Sequence, residues 1–226
     1  MGERIDYDAD GTAMVGYRAR PERPNGAVLL VVPAFMGLRS FEKAQCDRFA
    51  AMGYEAMGVD YYGEGWTTED GAAASKAMAE LNGDREVLLR RCAGALGIAR
   101  GWGGKVGAMG FCFGGKAVLD MARAGHLDAA VSMHGIYDRP PFATGTMPPV
   151  LLCHGWNDPL AKPADFEAMA AELEAHSPDW HALCFGQTGH AFTDPARGGD
   201  AGMGFVDRSA SRTWAAVETF LAEKLG

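Results

Sequence analysis

Lys105-Val-Gly-Ala-Met-Gly110-Phe-Cys112-Phe-Gly-Gly115-Lys116-Ala-Val-Leu-Asp-Met-Ala-Arg123 decides the fold of this chain. An apolar run leads into Gly110, and a helical pattern follows from Lys116. That order reads as strand, sharp turn and helix, with the Cys112 thiol at the apex. A nucleophile held in a strained turn needs neighbours without side chains, so that strand and helix can approach closely. Gly110 and Gly114 occupy the two positions where that crowding is greatest. Serine is the usual residue at such an apex, so the cysteine sets the question for the rest of the chain.

Outward from this turn the chain alternates between strand and helix patterns. Ala27–Val32 is a continuous apolar run, the mark of a strand buried on both faces. Tyr54–Val59, Val106–Phe111, Ala129–His134, Val150–His154 and Trp180–Phe185 read as further strands. Helical spacing marks Phe41–Met52, Asp70–Leu81, Asp84–Arg100, Pro163–Ala175 and Asp207–Lys224. At the amino end, Asp10-Gly11 between two short mixed segments in Arg4–Arg20 predicts a β-hairpin. Strands alternating with helices imply a mostly parallel sheet with helices on both faces, hence an α/β fold over a single domain, residues 1–226. Apart from Gly63–Asn82, no segment between strands is long enough for a separate cap domain, so an open site is expected.

The 226 residues carry a net charge of −8, with 48% hydrophobic and 22% charged residues. An acidic balance argues against nucleic acid or an anionic membrane as partner, because both reward clustered Lys and Arg. The amino terminus has no signal-peptide core, and no run approaches the ~18 apolar residues of a spanning helix. Five cysteines at irregular spacings, 46, 92, 112, 153 and 184, do not form a disulfide framework. These readings predict a cytoplasmic enzyme, with monomer and dimer both open.

Active-site residues in such sheets sit on loops beyond the carboxyl ends of the strands. Three candidates meet that requirement. Cys112 ends one strand, Asp158 follows the strand Val150–His154, and His190 follows the strand Trp180–Phe185. Nucleophile, acid and histidine in that chain order are expected of an α/β-hydrolase. Cys112 would attack a carbonyl carbon as thiolate. His190 would take and return the proton, and Asp158 would hold the imidazole in one tautomer. One oxyanion N–H would come from Phe113, and a second from the loop Pro33-Ala-Phe-Met-Gly37.

Each feature has a plainer reading. A cysteine in a glycine-rich segment is often inert packing. His134 and His154 end strands before glycine and read as residues packed near the site; His126, His176 and His181 lie on surface or turn segments. The Cys153-His154 pair lacks a second ligand pair at zinc spacing, so neither a metal nor a cofactor is expected. Gly110-x-x-x-x-Gly115-Lys116 matches the opening of a phosphate-binding loop, but Ala117 stands where Ser or Thr must hold Mg²⁺.

With these residues assembled, the chain resembles the dienelactone hydrolase family, small uncapped α/β-hydrolases with a cysteine nucleophile. The resemblance rests on Gly110–Gly115, His154-Gly-Trp-Asn-Asp158-Pro159, Gly189-His190-Ala-Phe192, Asp60-Tyr-Tyr-Gly-Glu-Gly65 and Asn82-Gly-Asp-Arg85. It implies a triad of Cys112, Asp158 and His190, with oxyanion N–H groups at Phe35 and Phe113. Two departures stand out. The family's oxyanion-loop glutamate, which helps form the thiolate, is replaced by Ala34. One of the arginines that hold the carboxylate of dienelactone is replaced by Asp194, and the other has no counterpart between Tyr61 and Arg85, where Lys76 is the one basic residue. Arg197 is the alternative source of that charge.

The resemblance therefore implies a carboxymethylenebutenolidase-like hydrolysis of a small-molecule ester or lactone through a thioester. The departures predict a neutral or cationic substrate. Aromatic residues near the site, Phe35, Tyr61, Tyr62, Trp66, Phe113, Trp156 and Phe192, are candidates for an apolar pocket, with Ala34 and Asp194 beside them. Two alternatives stay open: a non-hydrolytic binding protein that keeps the fold, and a thiol redox sensor using Cys112.

Overall fold

The computed structural model describes residues 2–198 and 202–226. The chain opens with strands β1 (Glu3–Ala9) and β2 (Thr12–Ala19), followed by β3 (Val28–Val32), helix α1 (Ser40–Ala51) and β4 (Glu55–Gly58). Helices α2 (Gly71–Asn82) and α3 (Arg85–Ala99) lead to β5 (Val106–Phe111) and α4 (Phe113–Arg123). Then come β6 (Ala129–Met133), β7 (Val150–Gly155), α5 (Pro163–His176), β8 (Trp180–Phe185) and α6 (Asp207–Leu225). The strands form one sheet in the order β1-β2-β4-β3-β5-β6-β7-β8. β1, β2 and β4 pair antiparallel, and every pairing from β4 across to β8 is parallel. This is the α/β-hydrolase architecture without a cap domain.

Local chemistry accounts for the element ends. Asp10 and Gly11 sit at φ 56° and 69°, as a two-residue hairpin turn with the twist of its strands requires. The Asp70 carboxylate accepts the Ala72 N–H at 2.8 Å at the start of α2, and Asp84 accepts the Val87 N–H at 3.1 Å at the start of α3. Pro163 begins α5, where its missing N–H costs nothing. The long Gly63–Asn82 segment becomes a loop and the single helix α2.

Every residue of β3, β5, β6 and β7 is buried, because helices cover both faces of the sheet. Val28, Leu30 and Val32 of β3 point into the core shared with α3, α4 and α5, whereas Leu29 and Val31 face α1 and α6. No helix among the described residues is long and apolar enough to cross a membrane.

A largely buried ionic network, with half-exposed Asp138 at its edge, fastens three helices on one face. Arg85 of α3 grips Asp120 of α4 with two bonds of 2.7 Å. Arg123, also on α4, bonds Asp120 at 3.0 Å and both carboxylate oxygens of Glu172 on α5 at 2.9 and 2.8 Å. Lys116, which the phosphate-loop reading would aim at a nucleotide, instead bonds Asn82 and, at 2.7 Å, Asp138. Asp120→Ala would remove the carboxylate between the Arg85 and Arg123 guanidinium groups, leaving Arg85 only Asp138 and Arg123 only Glu172. A loss of about 3–5 kcal/mol is expected in urea unfolding; a change below 1 kcal/mol would refute the network's role.

Candidate active site

Cys112 sits between β5 and α4 with φ 56° and ψ −116°, a conformation that costs a non-glycine residue about 1–3 kcal/mol. The surroundings impose it. A Cβ on Gly110 would lie 2.2 Å from the Gly114 carbonyl oxygen, and one on Gly114 would lie 2.3 Å from the carbonyl oxygens of Val32 and Pro33. Backbone therefore touches backbone on both sides of the thiol. The Cys112 N–H is shared between the Met133 carbonyl at 3.0 Å and His134 Nδ1 at 3.2 Å, so β6 holds the turn from beneath.

Asp158 and His190 meet at the carboxyl ends of β7 and β8. The Asp158 N–H closes a turn onto the Gly155 carbonyl at 3.0 Å, and its Oδ1 accepts the Leu160 N–H at 2.8 Å. Its Oδ2 accepts a hydrogen bond from His190 Nδ1 at 2.7 Å, with both side chains almost completely buried. This bond leaves the lone pair of neutral His190, or its second proton when charged, on Nε2. That nitrogen is buried and has no hydrogen-bond partner among the described residues.

The charges around Cys112 and His190 make them a coupled pair. Burial pushes the thiol up, but the His190 cation and, after it, the Phe113 N–H outweigh it and hold Cys112 below its ordinary value. Burial alone would push His190 down. Attraction to the Cys112 thiolate and the hydrogen bond with Asp158 raise it instead. A thiol lowered and an imidazole raised by each other shift the balance toward a thiolate–imidazolium pair.

Ala34 and Phe35 lie at the end of β3, directly against the turn. The Tyr61 hydroxyl donates to the Ala34 carbonyl at 2.7 Å, and the Tyr62 hydroxyl donates to the Phe35 carbonyl at 2.8 Å. Buried Glu42 accepts the Ala34 N–H at 3.3 Å and the Arg39 N–H at 3.1 Å. Among the described residues the Phe35 N–H has no partner within the chain, and the Phe113 N–H faces the Cys112 sulfur. The carboxylate absent at Ala34 has a neighbour in Glu42, but that group is occupied behind the loop.

The expected pocket residues divide. Tyr61 and Phe192 are both 0% exposed. Tyr61 packs edge-on against Phe113, and Phe192 against His134 and Phe185. They support the site from the core and do not form a pocket wall; this corrects the expectation from aromatic content. Trp156 is 45% exposed at the end of β7. Asp194 is half-buried and lies 3.7 Å from Arg197, whose guanidinium sits 5.8 Å over the Phe35 ring. A cavity of about 640 Å³ opens beside the site between the Tyr62–Trp66 loop, α2 and α3. It is lined by Tyr62, Trp66, Leu81 and Arg91, and by none of Cys112, Asp158 or His190.

Of the other histidines, His134 and His154 are buried near the site, His126 is half-buried, and His176 and His181 are exposed. His181 lies within β8, not in a turn. Among the described residues, no three His, Cys, Asp or Glu side chains are arranged to hold a metal.

Several supporting residues had no reading in the sequence. Asp60 organises the loop after β4, accepting the N–H groups of Tyr62, Gly63, Gly65 and Val15 at 2.8–3.0 Å. The signal was present in Asp60-Tyr-Tyr-Gly-Glu-Gly65, whose positive φ at Gly63, Glu64 and Gly65 demands such a hub. Glu42, Thr193 and the bonds of His134 had no comparable local signal.

The family model for dienelactone hydrolases matches residues 14–225. A dienelactone hydrolase-like promiscuous phosphotriesterase from metagenomic libraries superposes with a TM-score of 0.90 at 30% identity, covering 100% of this chain and 99% of its own. A dienelactone hydrolase from Anabaena variabilis shares the fold with a TM-score of 0.70 at 18% identity, covering 100% of this chain and 99% of its own. Among curated proteins, an uncharacterized protein of Caenorhabditis elegans is 32% identical over 53% of this chain and 80% of its own length. Protein usf of Aquifex pyrophilus is 31% identical over 60% of this chain and 62% of its own length.

The coupled pair predicts a pH profile for thiol alkylation. Cys112 should react with iodoacetamide with a midpoint below the ordinary thiol value of about 8.5. Because the imidazolium lowers it, His190→Ala should move the midpoint upward and slow the reaction at pH 7 at least tenfold. An unchanged midpoint would refute the ion pair.

Proposed function

The chain belongs to the dienelactone hydrolase family, and from that premise we propose that it hydrolyses a small carboxylic ester or lactone through Cys112, His190 and Asp158. The observation that carries this reading is the buried Asp158–His190 bond of 2.7 Å, with an imidazole that lowers the Cys112 thiol in a strained turn.

The Cys112 thiolate attacks the carbonyl carbon, and the electron pair of the carbonyl moves to oxygen. The N–H groups of Phe35 and Phe113 receive that oxyanion. As the tetrahedral species collapses, the bond to the leaving oxygen breaks and the His190 imidazolium gives that oxygen its proton. A thioester remains on Cys112. Water then loses a proton to His190 and attacks the thioester, releasing the carboxylic acid and restoring the thiolate–imidazolium pair. Asp158 holds Nδ1 and balances the imidazolium throughout. No metal or cofactor enters this scheme, and a reducing cytoplasm suits a reactive thiol.

The rim supports a neutral substrate. Asp194 and Arg197 balance each other beside Phe35, and Arg39 is paired with Glu69 at 2.8 Å. Neither a free cation to clamp a carboxylate nor a free anion to repel one is left at these positions. A second reading, phosphotriester hydrolysis, draws on the neighbour with a TM-score of 0.90, itself a promiscuous phosphotriesterase. A phosphotriester is also a neutral electrophile whose oxygen gains charge on attack.

A chromogenic acyl ester tests the first reading. The expected result is a burst, steady turnover and an acyl adduct on Cys112 by intact mass, all lost in Cys112→Ala. Adduct without turnover, or no reaction, would overturn it in favour of a crippled enzyme or a binding protein. Neutral esters should exceed cis-dienelactone in kcat/KM by at least tenfold, and a preference for the anion would refute the neutral-substrate proposal. A neutral phosphotriester in the same assay tests the second reading, with lack of turnover counting against it.

A further inference from the structure

His134 stands where the turn that carries Cys112 meets the loop that carries His190. It directly follows β6 and holds φ 39°, an uncommon conformation for a non-glycine residue. Its backbone N–H is tied to the Cys153 carbonyl of β7 at 2.8 Å. Its ring, 2% exposed as a residue, makes two hydrogen bonds to opposite sides of the site. Nδ1 accepts the Cys112 N–H at 3.2 Å, and Nε2 lies 2.8 Å from Thr193 Oγ1.

These two bonds determine the tautomer. A nitrogen that accepts a backbone N–H carries no proton, so the ring proton is on Nε2 and is donated to Thr193. Burial and, after it, the charges of His190 and Arg197 push His134 well below its ordinary value, which keeps it neutral. A neutral ring is what this place requires, because its centroid is 5.1 Å from that of His190 in an edge-on arrangement.

The chain Cys112 N–H to His134 to Thr193 therefore spans nucleophile and base without touching either reactive atom. Thr193 follows His190 by three residues, across Ala191 at φ 57°. Three residues in left-handed conformations, Cys112, His134 and Ala191, thus lie in or beside one hydrogen-bonded path.

We propose that His134 is a positioning residue that sets the spacing between the Cys112 thiolate and the His190 imidazolium by bracing the turn of one against the loop of the other. The proposal rests on the Cys–His reading of the site. It explains why a polar ring is buried here, since an apolar residue would leave the Thr193 hydroxyl, 1% exposed, without its partner. The Cys112 N–H would keep its bond to the Met133 carbonyl, so the turn itself would survive.

The test compares His134→Leu, His134→Gln and Thr193→Val with the parent protein. His134→Leu should lower kcat about ten- to a hundredfold with KM little changed, as small displacements of reacting groups do. The midpoint of Cys112 alkylation should move up toward the free-thiol value, because a loosened imidazolium stabilises the thiolate less. His134→Gln, whose amide N–H reaches toward Thr193, should recover part of both. Should His134→Leu fail to fold, Thr193→Val cuts the same brace from the other end and should shift both readouts in the same direction. A folded His134→Leu or Thr193→Val with unchanged kcat and alkylation midpoint would overturn the proposal. The alkylation profile needs no substrate, so a protein that cleaves no ester would still reveal whether the brace exists.

Discussion

Backbone pressed against backbone at Gly110 and Gly114 is the constraint from which the site follows. With the Gly114 Cα directly against the Val32 and Pro33 carbonyls, no side chain separates β3 from the first turn of α4. That closeness holds Cys112 at φ 56° at the apex between β5 and α4. The strain is sustained because the surrounding core is rigid: β3 and β5 are buried throughout, and the Arg85–Asp120–Arg123–Glu172 network holds α4 to α3 and α5.

In the proposed reading the chemistry depends on a balance of burial against pairing. Taken singly, burial would leave both Cys112 and His190 neutral, and neither would be fit to attack or to donate. Taken together with Asp158, each stabilises the charge of the other, and the buried carboxylate biases the pair toward its ionic form. The gain exists only at short range, because an interaction across a buried gap falls quickly once water can enter. Whatever sets the distance between the turn and the His190 loop therefore sets the reactivity of the thiol. Among the described residues, His134 is the one side chain bonded to both.

The sequence made the backbone logic legible. Gly110-Phe-Cys112-Phe-Gly114, the continuous apolar run of β3 and the Asp-Gly hairpin are local statements, since their meaning lies in steric demands a few residues wide. Asp158 and His190 were legible as candidates because position after a strand is also local. Residues that act by reaching across the fold were not legible. Glu42 meets the Ala34 N–H, His134 meets Thr193, and Tyr62 meets the Phe35 carbonyl, each pair set by how loops from different strands converge. Tyr61 and Phe192 were misjudged for a related reason: aromatic character says that a residue is apolar, not which side of the sheet edge it will fill.

The replacement of a carboxylate by Ala34 gains a meaning from this geometry. In the proposed reading, an acidic side chain on the oxyanion loop would place a third negative charge beside the Cys112 thiolate and Asp158, with His190 as the sole cation between them. Its absence removes that repulsion, and Glu42 spends its own charge on backbone N–H groups behind the loop. The thiolate then needs no substrate to displace a competing anion. A site of this kind is poised at rest. The same neutral rim that spares the thiolate a nearby anion removes the attraction an anionic substrate would need, so resting activation and neutral substrate preference follow from one change in the charge around the oxyanion loop.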